Sequence, residues 1–578
     1  MVTMLSLLTL AYLALGTSAQ TWCGKHYKPT LPATNPGGQF TLPTASSTPL
    51  LALRCQPAIR PYLAEDDGLV STDKSILIDT PITNLKIANA AAITLPGTST
   101  PLSVSVSVNG KVLTSGSVPL NATKQELKFS LSSLTPQTTA YVITCTATLG
   151  SQTFTATGSL SYLPNPPSSI GSVTKIDQRT GALLAKPANG SGGPYATVFP
   201  VGFYTQFDGY LDSDFTIPAK LASQGFNVIH TVPTFDNLTA LSIVLDNMEA
   251  ANMYLMYDMR YTYMDSASVT TEVNRIKSRP NLLLWYTADE PDGTSDPLTA
   301  TVTTRNLIQS LDGGDGNGGA GYHPISLVLN CENFHFTCAQ LRYLVTMQQK
   351  LTIQPNVRDY SNGADIIMQD AYMIGNNVTF STVWKTPCNT TYGDCGCDNC
   401  KGSFEDISTR MEEFKQRLFY NGWDRTKAVW TVPQGFGVET YWPRDPTGAE
   451  FVVQSIMGIN HGGLGVVSWD DPTTADIKSS ASLLAKAIPR MTPFILNPAA
   501  TFRHVTSGGV DIGLWTVESS TLVLAANMNS ATASVAISPS LGLNPTTVTQ
   551  VLNSGASVDS TKSHFTFNSV GSGAFIVG

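Results

Sequence analysis

Hydrophobic and polar positions fall into three rhythms along the chain. Between residues 60 and 163 they alternate in short runs, at 102–108, 127–131, 141–149 and 153–162, separated by turn residues such as Asn109-Gly110. Successive side chains on a strand point to opposite faces, so this rhythm predicts half-buried antiparallel strands, and several in succession predict a β-sandwich. Between residues 195 and 490 the rhythm changes. Eight short, nearly continuous apolar runs recur at 197–203, 226–231, 254–258, 282–287, 324–329, 365–369, 428–432 and 463–468. Helical spacing falls between them: Leu238, Leu241, Val244, Leu245 and Met248 share one face, as do Ile407, Met411, Phe414 and Leu418. Strands covered on both sides and alternating with helices predict a parallel sheet, and eight such units over about 250 to 300 residues fit a closed (β/α)8 TIM barrel. An open doubly wound sheet would carry a glycine-rich phosphate loop after its first strand, and Gly202-Phe203-Tyr204-Thr205 is not one. From residue 497 onward the runs at 510–517 and 521–526 return to β character. The fold class is therefore α/β: an N-terminal β-sandwich with an extended lead-in over 20–165, a barrel over 195–490 and a C-terminal β-sandwich over 497–578. A Pro- and Ser-rich linker follows the first of these, at 163–169.

Composition narrows the setting. Charged residues make up 13% of the chain and the net charge is -8, so there is no electrostatic footprint for nucleic acid. Residues 1–19 hold an apolar run over 5–15 followed by Gly16-Thr17-Ser18-Ala19, which reads as a signal peptide cleaved before Gln20 and is too short to span a bilayer. No later stretch reads as a membrane span or a lipid-anchor signal, so no membrane attachment is expected. Five N-x-S/T sequons, at Asn121, Asn189, Asn237, Asn377 and Asn389, fit a secreted, extracellular glycoprotein. Nine cysteines lie beyond the cleavage site, and an oxidising compartment favours disulfides. Cys331 with Cys338 and Cys23 with Cys55 are pairs the spacing allows. Cys388, Cys395, Cys397 and Cys400 lack two clean CxxC pairs, so disulfides are expected there rather than zinc. The odd cysteine is assigned to Cys145, inside a strand.

Polar residues collect where the apolar runs stop. The second ends at His230, the third at Asp258 and Arg260, and the fourth, in NLLLWYTADEPDG, at Asp289 and Glu290. The fifth ends at Asn330 and Glu332, the sixth at Asp370 and Tyr372, the seventh at Gln434, and the eighth at Trp469, Asp470 and Asp471. Unpaired buried charge is costly, and the carboxyl ends of barrel strands are where such folds do chemistry. Asp258 and Arg260 also fit a supporting ion pair, and His230 fits either a core histidine or a substrate contact. Carboxylates beside Tyr204, Tyr286, Tyr372 and Trp469 have the makeup of a sugar site, because rings stack on sugar faces and carboxylates bind hydroxyls.

A chain with flanking β-sandwiches and a fourth strand ending in acid-Glu-Pro resembles the (β/α)8 glycoside hydrolases of the clan A type, in a secreted eukaryotic, fungal form. The resemblance implies that Glu290 is the acid/base, with Asp289 replacing the usual Asn. It also implies a Glu closing strand seven as nucleophile, where this sequence has Gln434 in TVPQGFG. The second carboxylate then comes from Asp370, Glu439 or Asp470, in that order, each with a structural role as the alternative. Asp289 beside Glu290 would raise the acid's pKa if both side chains face the site, whereas strand alternation would turn Asp289 toward the wall.

The activity expected is cleavage of O-glycosidic bonds in a polysaccharide or glycan by carboxylate general acid catalysis, in a monomer. Two alternatives stand. The Asp289-Glu290 pair also resembles substrate-assisted hexosaminidases, and Gln434 is compatible with a catalytically inactive barrel that binds cell-wall glycan. Neither HExxH nor GxSxG occurs, so no metal or other cofactor and no serine nucleophile is expected.

Overall fold

The computed structural model describes residues 21–26, 40–70, 73–95, 100–294, 296–331 and 360–578. The signal peptide expected from the sequence, Glu332 and Cys338 lie outside them. Eight parallel strands close into a barrel: β1 (Val201–Gln206), β2 (Val228–Val232), β3 (Tyr254–Asp258), β4 (Leu282–Asp289), β5 (Ile325–Leu329), β6 (Ile366–Gln369), β7 (Ala428–Thr431) and β8 (Val466–Asp471), with β8 pairing back to β1. The apolar runs locate these strands, but their ends shift. Strands β4 and β8 continue into the polar residues because backbone pairing persists there: Asp289 pairs with Val328, and Thr205 with Asp471. At the start of β1, Pro200 interrupts pairing, and Ala196–Val198 instead joins a separate small sheet.

Side-chain parity divides the barrel into two cores. Tyr204, Met256, Leu284, Tyr286, Met368 and Trp430 point inward. Their neighbours Phe203, Leu255, Trp285, Ile367 and Val429 point outward to the helices. The helix Leu238–Ala250 buries Leu241, Val244, Leu245 and Met248, whereas Leu238, in its first turn, stays exposed. Its start is fixed by Asn237, whose side chain accepts from the Ala240 N–H at 3.0 Å. Helix Gly448–Asn460 begins with a capping box between Thr447 and Glu450. Helix Glu405–Asn421 buries all four residues of its expected apolar face.

Ahead of the barrel, a four-stranded antiparallel sheet (Leu102–Val108, Lys111–Val118, Tyr141–Leu149, Gln152–Leu160) shares one core with a three-stranded sheet (Arg54–Pro57, Ser75–Asp79, Gln125–Lys128). The proline-rich stretch after it is held down by Tyr322, whose hydroxyl donates to the Pro164 carbonyl at 3.1 Å. After the barrel, Thr501–Ser507, Val510–Val517, Ser520–Asn527, Ala533–Ala536, Val548–Val558 and His564–Val577 form one antiparallel sheet. Leu522, Leu524 and Ala526 on one face join the barrel's outer core, and Val523 and Ala525 on the other belong to a separate core.

Disulfide pairing differs from the sequence expectation. Cys55 bonds Cys145 across the two N-terminal sheets, so Cys145 is not a free thiol, and Cys23 bonds Cys331 at the end of β5. Neither the Cys23–Cys55 pair nor the Cys331–Cys338 pair forms. Meeting faces in the fold decide the partners, and here they lie 90 and 308 residues apart. Cys388–Cys395 and Cys397–Cys400 pair locally, as expected. All five sequon asparagines are exposed. No helix of the described residues is long and apolar enough to cross a membrane.

Candidate active site

The carboxyl end of β4 departs from strand alternation. Its pairing register with β5 shifts between Tyr286 and Asp289, and Glu290 sits at φ 48°, in the left-handed region. Both carboxylates consequently face the same pocket. Asp289 accepts from Arg260 Nη1 at 2.7 Å and from the Tyr286 hydroxyl. Glu290 accepts from Asn330 Nδ2 at 2.9 Å and shares a hydrogen bond with Asp370 at the end of β6. Burial, reinforced by the neighbouring Asp370 and then Asp289, holds the Glu290 carboxyl well above the usual carboxylate range. Burial also raises Asp370. Its Oδ1 is enclosed and lacks a hydrogen-bond partner. Two carboxyls in contact cannot both ionise readily. Burial and the Asp370 contact favour the neutral form of Glu290, whose hydroxyl then donates a hydrogen bond to Asp370.

Beneath them lies a buried charge chain. Asp258 Oδ2 receives His230 Nε2 at 2.7 Å and Arg260 Nε at 2.8 Å, and Arg260 continues to Asp289. Burial works against the Asp258 carboxylate, but Arg260 and His230 keep its pKa below the ordinary value. Burial lowers the pKa of His230, so the ring favours its neutral form. The Arg260 guanidinium lies 4.8 Å from the Trp469 ring centroid and 5.4 Å from that of Tyr204.

Above this floor the pocket encloses about 270 Å³. Aromatic rings form its walls: Tyr372 meets Phe436 edge-on at 5.0 Å, Phe436 meets Trp442 at 4.8 Å, and Trp469 faces Tyr204 at 5.3 Å. Trp442 Nε1 donates to the Tyr372 carbonyl at 2.9 Å, tying the loop after β7 to that after β6. Tyr441 donates to Asp394 at 2.8 Å, bringing the doubly disulfide-bonded loop to the rim. Trp22, from the hairpin Thr21–His26, donates to Asn330 Oδ1 at 3.2 Å. The orientation of Asn330 is thereby set, with its amide nitrogen toward Glu290.

No known family model matches the sequence, and no curated protein matches it. Among solved structures it is similar to a beta-glucuronidase of Ruminococcus gnavus at 10% identity and a TM-score of 0.32, over 72% of this chain and 62% of that one. It is also similar to a GH30 endoxylanase from Clostridium papyrosolvens C71 (11%, TM-score 0.37, 66% of this chain and 97% of that one). A third is an alpha-amylase from Geobacillus thermoleovorans complexed with acarbose (10%, TM-score 0.38, 65% and 98%). The chain thus spans less than two thirds of the glucuronidase. These likenesses extend to fold alone, and no residue role passes through them.

Of the residues singled out from the sequence, Tyr204, Asp289, Glu290, Asp370, Tyr372, Glu439 and Trp469 line the pocket. His230, Asp258, Arg260 and Tyr286 lie under its floor, fully or almost fully buried. Asp470 is bound to one side by Gln206 Nε2 at 2.7 Å, and burial raises its pKa to about 6. Gln434 is buried away from the pocket: its amide nitrogen donates to the carbonyls of Ile374 and Phe436, and its oxygen accepts from the Ile374 N–H. It clamps two loops. Trp22, Phe436, Tyr441 and Trp442 were not anticipated. The aromatic residues of 436–442, in a Gly- and Pro-containing loop after strand seven, carried a usable signal. Trp22 carried none, because its position depends on a distant disulfide.

Proposed function

We propose that this chain is a secreted glycoside hydrolase in which Glu290 is the general acid and Asp370 the second carboxylate. The observation that carries this reading is the contact between the buried Glu290 and Asp370 carboxyls at the base of an aromatic-walled pocket, where burial raises the pKa of Glu290. A raised pKa lets a carboxylic acid keep its proton at the pH where a glycosidic oxygen must receive one. The aromatic walls supply apolar faces against which a pyranose ring binds, and Asp289, Asn330 and Asp394 supply hydroxyl partners. For hydrolysis the sugar must enter between the two carboxyls, opening them to about 5–5.5 Å for retention or about 6.5–9.5 Å for inversion. Glu439, exposed on the loop after β7, overlooks this space and is the next candidate for the second role.

The contact between Glu290 and Asp370 supports one further reading. Carboxyls this close suit a reaction in which the sugar's own acetamido oxygen attacks and only one proton donor is required, with Asp289 orienting the substrate. The inactive-barrel reading loses its main support, because packing explains Gln434.

The deciding experiment compares the secreted protein with Glu290→Gln on N-acetylated and neutral wall polysaccharides and on aryl glycosides. Loss of about 100- to 10,000-fold in kcat/KM on polysaccharide is expected, with a smaller loss on aryl glycosides whose leaving groups need no proton. Equal losses on both substrates, or none, would remove Glu290 as the acid. Turnover confined to N-acetylated substrates would select the substrate-assisted reading. Glycan binding without turnover in the parent would restore the inactive barrel.

A further inference from the structure

A second cluster of ligating groups lies on the opposite side of the barrel. Helix Gly448–Asn460 runs back from the pocket face after β7, and His461 follows its last residue. There His461 meets the C-terminal strands. Its Nε2 lies 2.9 Å from Asp511 Oδ2, and His504 Nε2 lies 2.7 Å from the same oxygen. The three candidate ligand atoms all lie within 4.8 Å of one another. Two of the three are backed in the way metal ligands are. The other ring nitrogen of His461 faces Glu412 Oε1 at 3.0 Å, and Asp511 Oδ1 accepts from Asn460 Nδ2 at 2.7 Å. Asp511 and His461 are nearly buried, whereas 30% of the His504 side chain is open to solvent, leaving a route in.

We infer that His461, His504 and Asp511 form a structural site for a divalent ion of the zinc type, joining the C-terminal sheet to the barrel. Two imidazoles and one carboxylate suit such an ion, and tetrahedral bonds of about 2.0–2.1 Å require the ligand atoms to spread by only about half an ångström. The charge balances. With both imidazoles neutral, the ion's two positive charges offset Asp511 and, together with Lys415 at 3.1 Å, Glu412. On binding, both Nε2 protons shared with Asp511 are displaced: that of the doubly hydrogen-bonded His461 leaves to solvent, and that of His504 is exchanged through solvent for one on Nδ1, leaving both rings neutral. The site stands apart from the pocket and does not depend on the catalytic reading. The second possible metal cluster among the described residues, Cys23, Cys331 and Asp398, is closed by a disulfide and offers no thiolate.

The test uses the full secreted chain, stripped with chelator and titrated with zinc and, separately, with cobalt(II). One equivalent per chain, a Tm raised by several degrees and the visible absorption of four-coordinate cobalt are expected. His504→Ala, at a part-exposed position, should retain the stripped parent's Tm and lose all three responses. The inference is overturned if the parent binds no saturable equivalent, or if His504→Ala binds with the same stoichiometry and affinity.

Discussion

At the scale of single residues, the proposed chemistry rests on the contact between Glu290 and Asp370. As the proposed acid, Glu290 would act only while protonated, so turnover should fall as pH rises through its elevated pKa. Burial is the largest cause of that elevation, and the adjacent Asp370 adds to it. Asp370→Asn removes the neighbouring negative charge. The alkaline limb of kcat/KM against pH should then move to lower pH, alongside any loss in rate, and an unmoved limb would mean that Asp370 is not the anionic partner. These two residues were legible as candidates because each ends an apolar run, where an unpaired carboxylate is costly to bury. His230, Asp258 and Arg260 end runs too, yet they lie below the floor. A strand end fixes position along the barrel axis, but the depth of a side chain depends on the residues that cover it, here Tyr204, Tyr286 and Trp469.

At the scale of elements, the loops after β6 and β7 act as one wall, held by Trp442 against Tyr372 and by Gln434 between Ile374 and Phe436. Gln434→Glu would place a carboxylate against two carbonyl oxygens. Such a substitution should destabilise the protein by about 1–3 kcal/mol or more and should not raise activity, measured by thermal melting and by kcat/KM. A gain in turnover would instead mark Gln434 as a lost nucleophile. Eight strands and their helices were legible because burial on both faces leaves continuous apolar runs. The bulge in β4 was not, since the letters Ala288-Asp289-Glu290 are equally compatible with regular pleating. That bulge decides whether one carboxylate or two reach the pocket.

At the scale of the molecule, buried ion pairs weld the N-terminal region to the barrel. Arg60 reaches Asp365 at 2.8 Å, Arg305 meets the same carboxylate at 3.0 Å, and Arg425 meets Asp79 at 2.7 Å. Burial opposes the Asp365 charge, but Arg60 and Arg305 hold its pKa below the ordinary value. Its contribution is therefore complete above the unfolded pKa of about 3.9 and is lost as pH falls below that. Asp365→Asn should cost about 3–5 kcal/mol at neutral pH by leaving two arginines without their partner. Asp292 has the opposite sign. Burial raises it to about 7, so its neutral form favours the folded state at low pH, and that advantage fades as pH rises from about 4 through about 7. Melting temperature should accordingly peak on the acidic side of neutrality, and Asp292→Asn should flatten its decline toward pH 7. Biosynthesis inherits a timing problem from the Cys23–Cys331 bond. At about 5–20 residues per second, Cys331 is made roughly 15 to 60 s after Cys23, while Cys55 and Cys145 pass in between. The thiol that anchors Trp22 must wait unpaired while half the barrel is synthesised, and a mispaired chain could carry an intact acid pair in a pocket missing one wall.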